Sequence, residues 1–247
     1  TPPMAPAGFG DRVEGLHAVE AAVAAQRVEE LWVEASRAHQ PDFAALAALA
    51  EEHGARVHFV KDVTDRAETS SPQGVVARSR PILSIGVDEL LDVPRAALMV
   101  LDHVVDPHNL GAVARSSHAA GLTGLIVAGR RAAPLSAVAF KAAAGALERL
   151  PVAVVNSIAD TLSRLNKGGV WTVGLAAGST TRLFGLALLS EPVALVVGEE
   201  GGGLSRLVAE RCEVIASIPV ASGVESLNVS VAAALAAYEV MRVRASG

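Results

Sequence analysis

Apolar and polar positions divide the chain into two stretches. From residue 97 onward, short, largely apolar runs recur at 97–103, Gly124–Ala128, Val152–Val155, 171–176, Val193–Val197 and 214–218. Each is too short for a helix, rich in Val, Leu and Ala, and bounded by Gly, Pro or polar residues, which is how a strand buried on both faces reads. Helical patterns fall between them at 109–120, 136–144 and 158–165. Asp106-Pro107 supplies a cap and a first-turn proline for the first of these helices, and Gly121 a stop. Strands alternating with helices predict an α/β fold with a mostly parallel sheet covered on both faces.

Before residue 97 the rhythm is smaller. Residues 1–10 have the Pro/Gly/Ala content of an unpacked tail. Then come a helix over 17–26, a strand over 30–34, a helix over 42–53 with Asp42 as its cap, and strands at Arg56–Val60 and 75–78. That predicts a small α/β domain over 11–81, a connector over 82–96 containing Gly86 and Pro94, and a larger domain over 97–247.

Two strands of the larger domain end in loops with little side chain. Val193–Val197 runs into Gly198, Glu199, Glu200 and the triple glycine Gly201-Gly202-Gly203. The run 214–218 ends in Pro219 and the turn Ser222-Gly223, after which Ser226-Leu227-Asn228 opens a long amphipathic helix with Ser226 as candidate cap. In an open α/β sheet, ligands sit at such C-terminal strand ends. A triple glycine alone reads as a flexible turn, and no G-x-G-x-x-G or P-loop pattern follows a strand.

Composition narrows the picture. Half the residues are hydrophobic (51%) but only 3% are aromatic, so the core is built from Ala, Val and Leu. The single cysteine, Cys212, excludes a disulfide framework or a thiolate metal cluster and reads as a small packed hydrophobe. No apolar run reaches the ~18 residues of a membrane span, no signal peptide opens the chain, and the cytoplasm is the default expectation. A net charge of −5 argues mildly against a nucleic-acid partner. Against that, Arg115, Arg130, Arg131, Lys141 and Arg149 cluster in a segment with few acids. His103, His108 and His118 match no metal-ligand spacing, and no metal site is expected.

Three motifs occur in order. Asp106-Pro107-x-Asn109-x-Gly111-x-x-x-Arg115 is the first, Gly198-x-Glu200-Gly201-x-Gly203-Leu204 the second, and Ile218-Pro219 followed by Glu225-Ser226-Leu227-Asn228-Val229-Ser230 the third. Together they resemble the motifs of the SpoU-type RNA 2′-O-ribose methyltransferases of the SPOUT superfamily. The opening Glu14-Gly15-x-His17-Ala18-Val19-Glu20-Ala21 is similar to the start of the small, ribosomal-protein-like RNA-binding domain of the 23S ribosomal RNA guanosine branch.

The resemblance implies a deep trefoil knot from Gly198 onward, and S-adenosylmethionine as cofactor. It places Val197, Gly198, Glu200, Gly201, Ile218, Pro219 and Leu227 around that cofactor. Arg115 is then the residue on the substrate phosphate and the reacting 2′-hydroxyl, with Asn109, Glu200, Ser226 and Asn228 completing the catalytic set. Arg130, Arg131 and Lys141 are the candidate RNA contacts. Two departures stand out: Glu199 where members often carry a small polar residue, and Ala143 where a serine is common, which would remove one RNA-facing contact. Guanidinium stays charged at ordinary pH, so Arg115 is better suited to stabilising a developing alkoxide than to acting as a free base.

Alternatives at this point are a transfer-RNA enzyme, an antibiotic-resistance ribosomal RNA enzyme, and a non-catalytic RNA-binding assembly factor. Intact Asn109, Arg115, Glu200, Ser226 and Asn228 argue against the last. Apolar residues cover more of the final helix than one core-facing stripe requires. With the resemblance, this predicts a twofold homodimer in which Arg115 of one subunit serves the cofactor of the other.

Overall fold

The computed structural model describes residues 8–130, 132–199 and 201–245. The chain begins with β1 (Gly8–Phe9), β2 (Arg12–Glu14), α1 (Leu16–Ala24), β3 (Val28–Glu34), α2 (Pro41–Glu52), β4 (Arg56–Val60), β5 (Val75–Ser79), β6 (Ile82–Leu83) and α3 (Val87–Leu91). It continues with β7 (Ala97–Leu101), α4 (Pro107–Ala119), β8 (Gly124–Ala128), α5 (Ala137–Ala143), β9 (Val152–Val155), α6 (Ile158–Lys167), β10 (Trp171–Leu175), β11 (Val193–Val197), α7 (Arg206–Arg211), β12 (Val214–Ala216) and α8 (Val229–Ala245).

The apolar runs of the larger domain become a six-stranded parallel sheet in the order β12-β10-β11-β7-β8-β9. Its central strands β7 and β11 are buried at every position, which explains why they read as unbroken apolar runs. Alternate residues face opposite sides. Met99, Leu101, Leu195 and Val197 join the core under α4, α5 and α8, whereas Leu98, Val100, Ala194 and Val196 pack beneath α3 and α6. The strand order reverses direction around β7 and β11, and their C-terminal ends carry the first and second motifs.

The smaller sheet is mixed, in the order β2-β5-β3-β4. Its helices bury Val19, Val23, Phe43 and Leu46 against Leu31 and Val33. Helix α2 is capped at Gln40 with Pro41 in its first turn, so Asp42 lies inside the helix and is not the predicted cap.

One further sequence expectation is corrected. The supposed unpacked tail is ordered at its end: β1 pairs antiparallel with β6, and the Phe9 ring sits 6.2 Å from that of Phe140. Residues 1–7 of that tail lie outside the described residues. Within 82–96 the chain forms β6 and α3, and Val87 and Leu90 of α3 are buried against the parallel sheet. Among the described residues no helix is long and apolar enough to cross a membrane.

Arg27 fastens the two sheets together. Its guanidinium meets the Glu148 carboxylate (Nε to Oε2 2.7 Å) and donates to the carbonyls of Gly10 (3.0 Å) and Arg80. With the two side chains 11% and 2% exposed, the pair is buried in the seam between domains.

Candidate functional site

A cavity of about 470 Å³ opens at the C-terminal ends of β10, β11 and β12 and against the start of α8. Val197, Gly198, Gly201, Ile218, Pro219 and Leu227 line it, so the structure brings these sequence-predicted positions together. Ser226 and Glu225 stand at the same wall. Glu200 and Arg131 lie outside the described residues.

The loop after β11 owes its shape to glycine. Glu199 N donates to Gly203 O (3.0 Å) and Gly203 N to Glu199 O (2.8 Å), folding it back on itself. A Cβ at position 198 would fall 2.0 Å from Gly203 O, so no other residue fits there. Beyond β12 the chain runs beside the segment after β10: Ser217 N donates to Thr181 O and Leu183 N to Ser217 O, both at 2.9 Å. That segment, Leu175 to Gly178, forms a wall of the cavity that sequence reasoning missed. Its only signal was a strand ending in Ala-Ala-Gly.

Chemically the cavity joins apolar walls, from Val197, Ile218 and Leu227, to exposed loop backbone and the carboxylates of Glu199 and Glu225. Those features fit an aromatic ring, polar groups reading the main chain, and a centre of positive charge. A glycine-bounded pocket of this size and lining therefore suits S-adenosylmethionine.

The first and third motifs meet directly. Asn228 Nδ2 donates to Asn109 Oδ1 at 3.2 Å. Asn228 also starts α8: its Oδ1 accepts from Ser230 N (2.9 Å) and Ser230 Oγ (2.6 Å). The predicted cap, Ser226, is displaced from that job by Asn228 and stands exposed at the cavity wall. Asp106 caps α4 as predicted, accepting from His108 N at 2.9 Å. Gly111 lets α5 press onto α4, since a Cβ there would lie 2.4 Å from Ala139 O.

A second anchor, unforeseen from sequence, is Asp102 at the end of β7. Fully buried, it accepts from Ser205 N (2.7 Å) and pairs with His103 Nδ1 (2.6 Å), tying the second-motif loop to the first-motif loop. Cys212 packs against β10, and desolvation by burial, with the Asp102 charge second, pushes its thiol up to about 12. Among the described residues no three His, Cys, Asp or Glu side chains gather in a metal-binding group.

Arg115 is exposed and does not line this cavity. It lies six positions beyond Asn109, about 9 Å further along α4, and opens into a separate groove of about 700 Å³ between the two domains. Lys141 lines the same groove, whereas Arg130 is exposed in the loop after β8 and does not. Ala143 is fully buried in the core, so the position cannot present an RNA-facing contact; its neighbour Ala142 faces the groove instead.

Comparison with known proteins agrees over both domains. Residues 96–238 match the SpoU rRNA Methylase family, and residues 12–82 match the domain described as RNA 2′-O ribose methyltransferase substrate binding. A 23S rRNA (guanosine-2′-O-)-methyltransferase RlmB from Shewanella oneidensis is 39% identical over 246 residues, covering 96% of this chain and 98% of that protein. The enzyme of the same name from Pseudomonas aeruginosa is 39% identical, covering 95% and 97%. Among solved structures, the SpoU methyltransferase AviRb from Streptomyces viridochromogenes in complex with the cofactor AdoMet superposes with a TM-score of 0.80 at 26% identity, covering 96% of this chain and 91% of that one. The chain belongs to the SpoU rRNA methylase family.

Proposed function

We propose that this protein transfers a methyl group from S-adenosylmethionine to the ribose 2′-hydroxyl of a guanosine in 23S ribosomal RNA. The observation that carries the reading is the Asn109–Asn228 hydrogen bond, which joins the start of α4, in the first motif, to the third-motif loop that walls the cavity. The substrate class follows the relatives that match both domains almost end to end.

The cofactor, when bound, supplies a methyl group carried on a cationic sulfonium. Glu199 and Glu225 favour that charge, and Val197, Ile218 and Leu227 offer apolar surface to the adenine. Arg115 binds a substrate phosphate and lowers the energy of the alkoxide that develops at the 2′-oxygen as the hydroxyl proton passes to water and the sulfonium leaves as a neutral thioether. Asn109, fixed by Asn228, and Ser226 orient the hydroxyl, and alignment supplies much of the remaining rate. Residues 11–81 serve as the RNA-binding domain, 82–96 as the connector and 97–247 as the methyl-transfer domain. Ribosomal RNA as substrate makes the cytoplasm the place of action.

Assembly belongs to the same proposal. Helix α8 buries Val229, Ala233, Ala236, Ala237 and Val240 on one face and exposes Val231, Leu235, Tyr238 and Met241 on the opposite face. A second copy of this chain would cover that exposed stripe. Arg115, pointing away from its own chain's cavity, would then serve the partner's. The chain beyond β12, running beside residues 181–183, supports the trefoil threading.

Incubating the protein with undermethylated large-subunit RNA and methyl-labelled cofactor tests the reaction. A 2′-O-methyl group removes the nucleophile of alkaline cleavage, so the label must appear in alkali-resistant dinucleotides. Label released in mononucleotides would mean base methylation and would overturn the reading.

A further inference from the structure

The groove holding Arg115 has one wall from each domain. His108, Arg115 and Lys141 come from α4 and α5; His17, Ser70 and Gln73 come from the small domain. Its geometry is fixed from several sides. Glu14, fully buried in β2, accepts from Thr69 N (3.1 Å), Thr69 Oγ1 (2.6 Å) and the Glu68 amide, which ties down the loop that carries Ser70. Lys141 Nζ donates to the carbonyl of Ser71, joining that loop to α5. The buried Arg27–Glu148 pair and the Phe9–Phe140 contact hold the seam. The groove is therefore part of the resting fold.

Gln73 is the unusual residue of the wall. It is exposed, yet its backbone is left-handed (φ 61°), a region that a side chain enters only against steric resistance. Its Oε1 hangs over Gly15, where a Cβ would lie 2.9 Å away. Glycine would turn the chain into β5 more easily, so the turn itself does not require an amide side chain at the groove mouth.

We propose that this groove is a nucleotide subsite, which holds the RNA residue flanking the methylated one, with Arg115 and Lys141 on its phosphates and Gln73 on its base edge. The inference rests on the methyl-transfer reading, since that is what brings RNA to Arg115. Two cations suit a phosphodiester backbone. A primary amide presents a donor and an acceptor side by side, as recognition of an unpaired base requires. His17 and His108 also line the groove, and their rings offer surfaces on which a base can stack.

The test uses the full-length protein, S-adenosylmethionine and an undermethylated large-subunit RNA fragment in two versions that differ only in the bases flanking the target. Gln73→Gly removes the side chain and relieves the backbone. It should unfold at the same temperature or higher, bind cofactor normally, and lose roughly tenfold in kcat/KM on the native RNA while ceasing to distinguish the two versions. Lys141→Ala should weaken RNA binding and reduce its salt dependence by about one phosphate contact. Arg56→Ala, on the separate basic surface that also carries Arg78 and Arg80, should change neither. Native discrimination by Gln73→Gly, or RNA binding that responds to Arg56→Ala but not to Lys141→Ala, would overturn the subsite. If the unmodified protein binds RNA with this pattern but forms no 2′-O-methyl product, the methyl-transfer reading fails and the RNA subsite stands.

Discussion

Asn228 performs two tasks that substitution can separate. Its carboxamide oxygen caps α8 through Ser230 N, and its amide nitrogen donates to Asn109. Asn228→Ala removes both. Loss of an N-cap costs about 1 kcal/mol, and loss of a neutral, half-buried hydrogen bond about 1 kcal/mol more. For a chain of this size each kcal/mol moves the unfolding midpoint by about 2–4 °C, so a fall of about 4–8 °C is expected. Asn228→Ser keeps a good capping hydroxyl but is too short to reach Asn109, so it should recover roughly half of that fall. Both variants free Asn109 from its orienting partner and should lower the single-turnover methylation rate by about tenfold or more, one such hydrogen bond's worth of transition-state alignment. Circular dichroism reads the midpoints and rapid-quench methyl transfer reads the rates. Asn228→Ser with wild-type turnover would refute the claim that this hydrogen bond assembles the site. Asn228→Ala with an unchanged midpoint would refute the capping arithmetic.

Arg115→Ala should abolish turnover while calorimetry shows unaltered cofactor affinity, since the residue lies outside the cofactor cavity. Glu148→Ala leaves the Arg27 charge in the domain seam without its counter-ion and should destabilise by about 3 kcal/mol in denaturant unfolding. Cys212, its thiol pushed up to about 12, stays protonated at pH 8 and should react with a thiol reagent far more slowly than a free cysteine. Above pH 9 the unfolded chain loses that proton before the folded one does. Stability should therefore fall more steeply with rising pH for the wild type than for Cys212→Ala. Sedimentation should show a dimer that Tyr238→Asp dissociates, because Tyr238 lies in the exposed apolar stripe of α8.

The parallel sheet was legible because burial on both faces leaves unbroken apolar runs, and Gly124–Ala128, Val152–Val155 and Val193–Val197 begin and end where the sequence pattern puts them. Helix ends were less legible where several residues can cap: Gln40 rather than Asp42 precedes α2, and Asn228 rather than Ser226 precedes α8. The motifs identified most of the cavity, since its glycines and Ile218-Pro219 are local signals. What escaped was long-range. Nothing in Gly8–Phe9 foretells pairing with Ile82–Leu83, and the Arg27–Glu148 pair joins residues 121 positions apart. Asp102 lay unremarked inside the run 97–103, and only the fold brings Ser205 N beside it. The groove around Arg115 exists only because α4 and α5 meet the small domain there.

Mass spectrometry of nuclease fragments from the methylated large-subunit RNA tests the central claim most directly. Wild-type protein with S-adenosylmethionine should add one methyl group, on the ribose of a single guanosine, and Arg115→Ala should add none. A methyl group found on a base, or equal methylation by wild type and Arg115→Ala, would contradict the account.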